Sequence, residues 1–177
     1  MLYLIAIVAG GLLGVLTGGK LSRLAELRFR WPWVIVIAFV VRLAVLLPPL
    51  SRIEAGRYVY VAALAAIVAW TLWHVDRLPG VWVVSVGAAL NLLVIAVNGF
   101  RMPVAPEFAA FLVRHGHVGQ YTVMGPGTNL NLLGDWINLF PSPEVYSIGD
   151  ALISIGLAIV VFLASRNNRP YKELRPS

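Results

Sequence analysis

At 177 residues the chain has room for one compact domain. It is 59% hydrophobic and 12% charged, against about 25% charged residues in an ordinary soluble domain, so its main solvent is expected to be lipid. The absence of cysteine excludes disulfides, thiolate metal sites and thiol nucleophiles. A net charge of +6 would raise nucleic acid as a partner for a soluble protein. Here the basic residues flank apolar segments and no basic run is interleaved with aromatics. The charge is therefore read as topology signal and contact with anionic headgroups, with no nucleic-acid partner.

Residues 1–19 form a continuous apolar run, enough for about 28 Å of helix. Positive charge follows the run, at Lys20 and Arg23, rather than preceding it as in a cleaved signal peptide, so a retained first span is expected. Gly10, Gly14 and Gly18 recur every four residues and predict a slim face, open to another helix of this chain or to a partner membrane subunit. Residues 20–30 read as a basic amphipathic linker at the headgroup boundary.

A second span is predicted over 31–47, with Pro32 in its first turn, Trp31 and Trp33 in an interfacial belt, and Pro48-Pro49 as its stop. Arg42 falls near mid-membrane, where a charge costs roughly 2.5–3.5 kcal/mol and needs a partner, a wet cavity or a route to the surface. A third, Ala-rich span is predicted over 58–73, ending at Trp70 and Trp73. His74 and Asp76 then fall in a tight turn, where they either pair with each other or are solvated, the solvated turn being preferred. The fourth span covers 81–97. Gly87, Asn91 and Asn98 lie on one stripe of it, the stripe turned into the bundle, where Asn91 serves either an interhelical hydrogen bond or a ligand. The fifth covers 148–165, opened by Ser147-Ile-Gly-Asp150 at capping-box spacing, and a basic tail follows over 166–177.

Nine Lys/Arg (20, 23, 28, 30, 77, 166, 169, 172 and 175) lie on one side of such a bundle and four (52, 57, 101 and 114) on the other. The positive-inside rule then places the N-terminus outside, the C-terminus in the cytoplasm and the 98–147 connection on the outer face.

A fifty-residue connection without structure is implausible, and this one carries its own signals. Pro106, Glu107, Phe108, Phe111 and Leu112 read as a short helix ended by Gly116. Leu130, Leu133, Trp136, Ile137 and Phe140 read as a second, capped by Thr128 or Asn129 and stopped by Pro141 and Pro143. Asn98-Gly99 reads as a helix C-cap or a ligand contact, His115-Gly-His117 as a weak metal pair without a third ligand, and Gly125-Pro-Gly127-Thr128 as a candidate anion cradle without the lysine of a phosphate loop. No metal site is assigned, and the cofactor is unknown from the sequence.

The motifs Asn98-Gly99-x-Arg101-Met102-Pro103, Leu133-Gly134-Asp135-x-Ile137 and Ser147-Ile148-Gly149-Asp150, taken together, resemble those of an uncharacterised family of small bacterial multi-span membrane proteins. The resemblance runs over essentially the whole chain. It implies a location in the bacterial inner membrane, and it implies no activity.

The expected fold is an all-α membrane protein of five transmembrane helices under an outer cap of short interfacial helices. The expected function is the binding of an amphiphile (a lipid or isoprenoid headgroup, or a quinone) in an outer-side polar pocket. That pocket is expected to gather Asn91, Asn98, Arg101, Asp135 and Asp150, with Arg42 below. The alternatives are a non-catalytic subunit of a larger membrane complex, docked through Gly10, Gly14 and Gly18, and a lipid-modifying enzyme using Asp135 and Asp150.

Overall fold

The computed structural model describes residues 1–27, 29–47, 55–114, 118–139 and 144–166, with the side chains of Arg42, Leu43, Leu46, Phe111, Val113 and Val118 outside that description. Expectations for Arg42 as a side chain, for His115 and His117, for Pro141 and Pro143 and for the basic tail beyond Arg166 therefore lie outside the described residues.

Five apolar helices form where the apolar runs lie: α1 (Leu2–Leu16), α2 (Pro32–Leu46), α3 (Gly56–Trp73), α4 (Val81–Val97) and α6 (Ile148–Arg166). Their ends have local causes. At the end of α1 the Thr17 hydroxyl turns back onto the carbonyls of Leu13 (2.8 Å) and Gly14 (3.1 Å), which also accept the N–H groups of Thr17 and Gly19. Pro32 opens α2, where its missing N–H costs nothing. At the end of α4 the chain turns left-handed at Gly99 (φ 66°), and the Phe100 N–H returns to the Ile95 carbonyl at 2.9 Å, a Schellman closure. The Asn98-Gly99 pair is thus a C-cap. Gly18, by contrast, lies beyond α1 at φ 87°, and a Cβ placed on it would meet nothing within 4 Å, so it belongs to a turn and not to the glycine face.

The helices pack as a chain of neighbours in the spatial order α2, α3, α4, α6, α1. Their surfaces are inverted relative to a soluble protein. The buried residues of α1 are Gly10, Gly11 and Gly14, while Leu4, Ile5, Ile7, Val8, Leu12, Leu13, Val15 and Leu16 are exposed. In α6 the same holds: Gly149, Asp150, Ser154, Gly156 and Ser165 are buried while Ile155 and Leu163 face outward. Soluble monomers rarely expose a contiguous apolar patch larger than a few hundred Å². Two of the helices, α3 with 18 residues and α6 with 19, are long and apolar enough to cross a membrane. The expected five spans are not all met by length, because α1 and α2 have 15 residues each and α4 has 17.

Close approach is set by small residues. A Cβ on Gly10 would lie 2.4 Å from the Ala158 carbonyl oxygen, and one on Gly14 would lie 2.0 Å from the Ser165 hydroxyl. The glycine face of α1 is therefore filled by α6 from within the chain, and the subunit-docking role expected for it is not needed to explain it. Gly87 of α4 and Gly149 of α6 meet in the same way, with the Gly149 carbonyl oxygen 2.5 Å from a Cβ placed on Gly87. A second layer of cohesion comes from Val45, Tyr60, Leu64, Val94, Ile95 and Met102, which join α2, α3 and α4 to the cap that follows α4.

The cap departs from the all-α expectation. Its first helix forms as predicted, α5 (Pro106–Arg114), with Glu107 in the first turn and Arg114 in the last, each complementing the helix dipole. The second does not form. Residues 131–133 make a single 3-10 turn, and two small sheets take the rest. Strand β1 (Met102–Val104) pairs in parallel with β2 (Tyr121–Val123), and β3 (Ile137–Asn138) pairs antiparallel with β4 (Val145–Tyr146). The reason lies at Gly134 and Asp135. The Asp135 N–H donates to the Pro103 carbonyl (2.8 Å) and its carbonyl accepts the Ala105 N–H (2.9 Å), extending the β1 edge. Gly134 fits there because a Cβ would meet the Pro103 carbonyl oxygen at 2.6 Å.

The Gly125–Thr128 cradle is likewise closed. The Gly125 N–H donates to Thr128 Oγ1 (3.0 Å), the Thr128 N–H donates to the Gly125 carbonyl (3.1 Å), and no long helix follows. Two of the N–H groups an anion would use are thereby taken up within the loop.

Candidate functional site

The conspicuous polar cluster inside the bundle joins α1, α4 and α6. The Asn91 Nδ2 amide donates to Asp150 Oδ1 at 2.9 Å, and its Oδ1 accepts the Ser147 hydroxyl at 2.8 Å. Ser147 and Asp150 also close the predicted capping box: the Ser147 N–H donates to Asp150 Oδ2 (3.2 Å) and the Asp150 N–H donates to Ser147 Oγ (3.0 Å). Tyr3, on the first turn of α1, donates its phenol to Asp150 Oδ1 at 2.5 Å. Asn91, Ser147 and Asp150 are all buried.

The Asn91 amide reaches Asp150 because the two glycines let the helices close. A Cβ on Gly149 would stand 2.0 Å from Asn91 Oδ1. Asp150 thus accepts three hydrogen bonds from the about four that a carboxylate can take. Such a group is held as a helix cap and an interhelical clasp. It is poorly placed to move protons for a reaction, which weakens the reading of Asp135 and Asp150 as an acid/base pair.

A second, outer layer lies beside the cluster. The N-terminal ammonium of Met1 pairs with Glu144 at 2.6 Å, Tyr146 donates its hydroxyl to the same carboxylate, and the Leu2 N–H donates to the Tyr146 oxygen at 3.3 Å. The ammonium first, and the tyrosine second, hold the Glu144 carboxyl below its ordinary value of 4.5.

Asn98 does different work. It stands seven residues beyond Asn91, about 10 Å further along α4. Its amide donates to the Val94 carbonyl (2.7 Å) and the Asn129 carbonyl (2.9 Å), and its Oδ1 accepts the Asn129 N–H (2.7 Å). It clamps the cap to the end of α4. Gln120 does the same for α2, donating to the Val45 carbonyl at 3.2 Å.

Residues 26–162 match DUF5317, a family of unknown function. The chain belongs to this family. No curated protein and no solved structure matches it. The part shared with DUF5317 contains Arg42, Asn91, Asn98, Arg101, Asp135, Ser147 and Asp150; it leaves out Tyr3 and the rest of α1.

Of the six residues expected to converge, the structure joins Asn91 and Asp150 directly. Asn98 is occupied by the Asn129 main chain, and the main chain of Asp135 belongs to the β1 edge, with its side chain buried. Arg101 is half-buried just before β1. Among the described residues no group of His, Asp and Glu could hold a metal ion.

Sequence reasoning missed two participants, Tyr3 and Tyr146, and misplaced His74, which lies at the other end of the bundle. Tyr3 gave no signal inside an apolar run. Tyr146 acts through a two-residue strand. His74, expected in a solvated turn, is 2% exposed; its ring stacks on Trp70 four residues earlier, with centroids 3.9 Å apart, and its Nδ1 bonds the Trp70 carbonyl at 2.8 Å. The i, i+4 spacing of an aromatic and a histidine was the available signal.

Proposed function

We propose that this DUF5317 protein is a five-span integral protein of a bacterial inner membrane that binds an amphiphile beneath its outer cap. The observation that carries the reading is the inverted surface: glycine, serine and carboxylate inside, and leucine, isoleucine, valine and phenylalanine outside. In water that arrangement would be heavily penalised; in hydrocarbon it is the expected one. The short helices fit at modest cost. The 17 residues of α4 reach the lower limit for a span, and the two that α1 and α2 lack can be met by local thinning of the bilayer and by interfacial anchors such as Trp31 and Trp33. The charge asymmetry supports a topology with the N-terminus and the cap outside and the C-terminus in the cytoplasm.

The ligand contacts fall on Arg101 and Asp135, with Arg42 below. Asn91, Asn98 and Asp150 hold the frame around them. A buried carboxylate and a half-buried guanidinium in a cap over an apolar bundle suit a lipid or isoprenoid headgroup or a quinone. Protein purified in mild detergent should carry a defined lipid or quinone by mass spectrometry, and Asp135→Ala and Arg101→Ala should each deplete it. Unchanged co-purifying lipid in both variants would refute the ligand reading. Release of the chain from membranes by alkaline carbonate would refute the membrane reading.

A further inference from the structure

A recess opens at the end of the bundle opposite the cap. It is walled by Arg30, Trp31, Trp70, Trp73 and His74, where the start of α2 meets the end of α3. We propose that this recess binds the phosphate of an anionic phospholipid; the proposal rests on the membrane reading above for the source of that phosphate.

Size decides the class of occupant. The recess holds about 100 Å³, room for about three water molecules and well below the roughly 300 Å³ at which pockets begin to enclose drug-sized ligands. A quinone ring or a whole isoprenoid does not fit, whereas one compact headgroup does. Charge decides its sign. Three indoles would suit an ammonium group, but Arg30 is part of the same wall and, among the described residues, no carboxylate is, so an anion is favoured.

Two further features point to a ligand rather than to packing. His74 is buried, and its Nδ1 donates to the Trp70 carbonyl, which leaves Nε2 as an acceptor with no hydrogen-bond partner among the described residues; a hydroxyl of a glycerol headgroup beside the phosphate can supply the missing donor. Trp31 holds a left-handed backbone (φ 55°), which a bulky residue seldom adopts and which recurs at ligand clamps. The wall is fixed in place, because the Trp70 indole donates to the carbonyls of Arg30 (3.0 Å) and Trp31 (3.2 Å). Trp31 and Trp73, their rings 6.1 Å apart, are about 60% exposed and offer apolar faces along which acyl chains can run.

The test uses nanodiscs of phosphatidylcholine containing a minority of phosphatidylglycerol. One or the other lipid is brominated on its acyl chains, and tryptophan quenching is read as the ratio of the two. Wild-type protein should prefer phosphatidylglycerol. Arg30→Ala should cut the preference about fivefold and Arg30→Lys should largely keep it, while Arg77→Ala, which removes the same charge from the same face outside the recess, should leave it intact. An unchanged preference in Arg30→Ala, or an equal loss in Arg77→Ala, overturns the proposal. If excess inorganic phosphate removes the preference, the recess takes free phosphate and the lipid assignment fails. Equal quenching by both lipids sinks the recess alone; no quenching by either sinks the membrane reading with it.

Discussion

Asp150→Ala removes the acceptor on which three elements meet: the Tyr3 phenol from α1, the Asn91 amide from α4 and the Ser147 N–H at the start of α6. The loss of the capping box is worth about 1 kcal/mol. Stranding a buried amide and a half-buried phenol adds roughly 1–3 kcal/mol, most of it from the amide. The sum is about 2–4 kcal/mol. Asp150→Asn, which keeps one carboxamide oxygen for Asn91 and Tyr3, should cost about half as much. The interhelical bond itself is measured by a double-mutant cycle of Asn91→Ala with Asp150→Ala. Coupling across membrane helices averages about 0.6 kcal/mol and reaches about 1.7, so a value in that range is expected. The assay is reversible unfolding in mixed micelles of mild detergent and SDS, followed by tryptophan fluorescence. Strict additivity of the two single variants, or an Asp150→Ala protein as stable as wild type, would refute the clasp.

Gly10→Val should destabilise by about 1–3 kcal/mol through overpacking against Ala158, whereas Gly18→Ala, in open space but at φ 87°, should cost no more than about 1 kcal/mol of backbone strain; unfolding midpoints of the two variants give the order, and a reversed order would contradict the packing. Asn98→Ala should loosen the cap by about 1–2 kcal/mol without unfolding the helices, read as faster hydrogen exchange at the Asn129 amide with protection kept in α4. The Glu144 carboxyl is held low in the folded chain, so its contribution is full above 4.5, its ordinary value, and is lost as the pH falls through the lower folded value. Glu144→Gln should therefore flatten the dependence of thermal midpoint on pH below about 4.5, a small effect because the pair is largely exposed.

The helices were legible because their signals are long and redundant. Residues 81–97 were read with the bounds the structure has, since Pro79-Gly80 and Asn98-Gly99 punctuate an unbroken apolar run. The Gly87–Asn91 stripe and the Ser147–Asp150 box were legible for the same reason: one is a helical spacing, the other a local hydrogen-bond pattern. The second cap helix failed because five apolar residues at near-helical spacing do not state where the main chain finds its partners. Here Asp135 found them on Pro103 and Ala105, some thirty residues earlier, and strands of two or three residues are too short to show alternation. Tyr3 meets Asp150 across 147 positions, and no local pattern records such a contact. His74 was misplaced because a turn residue is read as solvated unless its stacking neighbour is considered.

Residues 98–147 are held to lie across the bilayer from the 74–80 turn, and this is the claim on which the account most depends. The chain has no cysteine, so single cysteines report cleanly. Glu107→Cys in the cap and Asp76→Cys in the turn are both exposed positions. With a membrane-impermeant maleimide on intact cells, Glu107→Cys should label at once and Asp76→Cys only after permeabilisation. Equal labelling of the two, or the opposite order, would contradict the account.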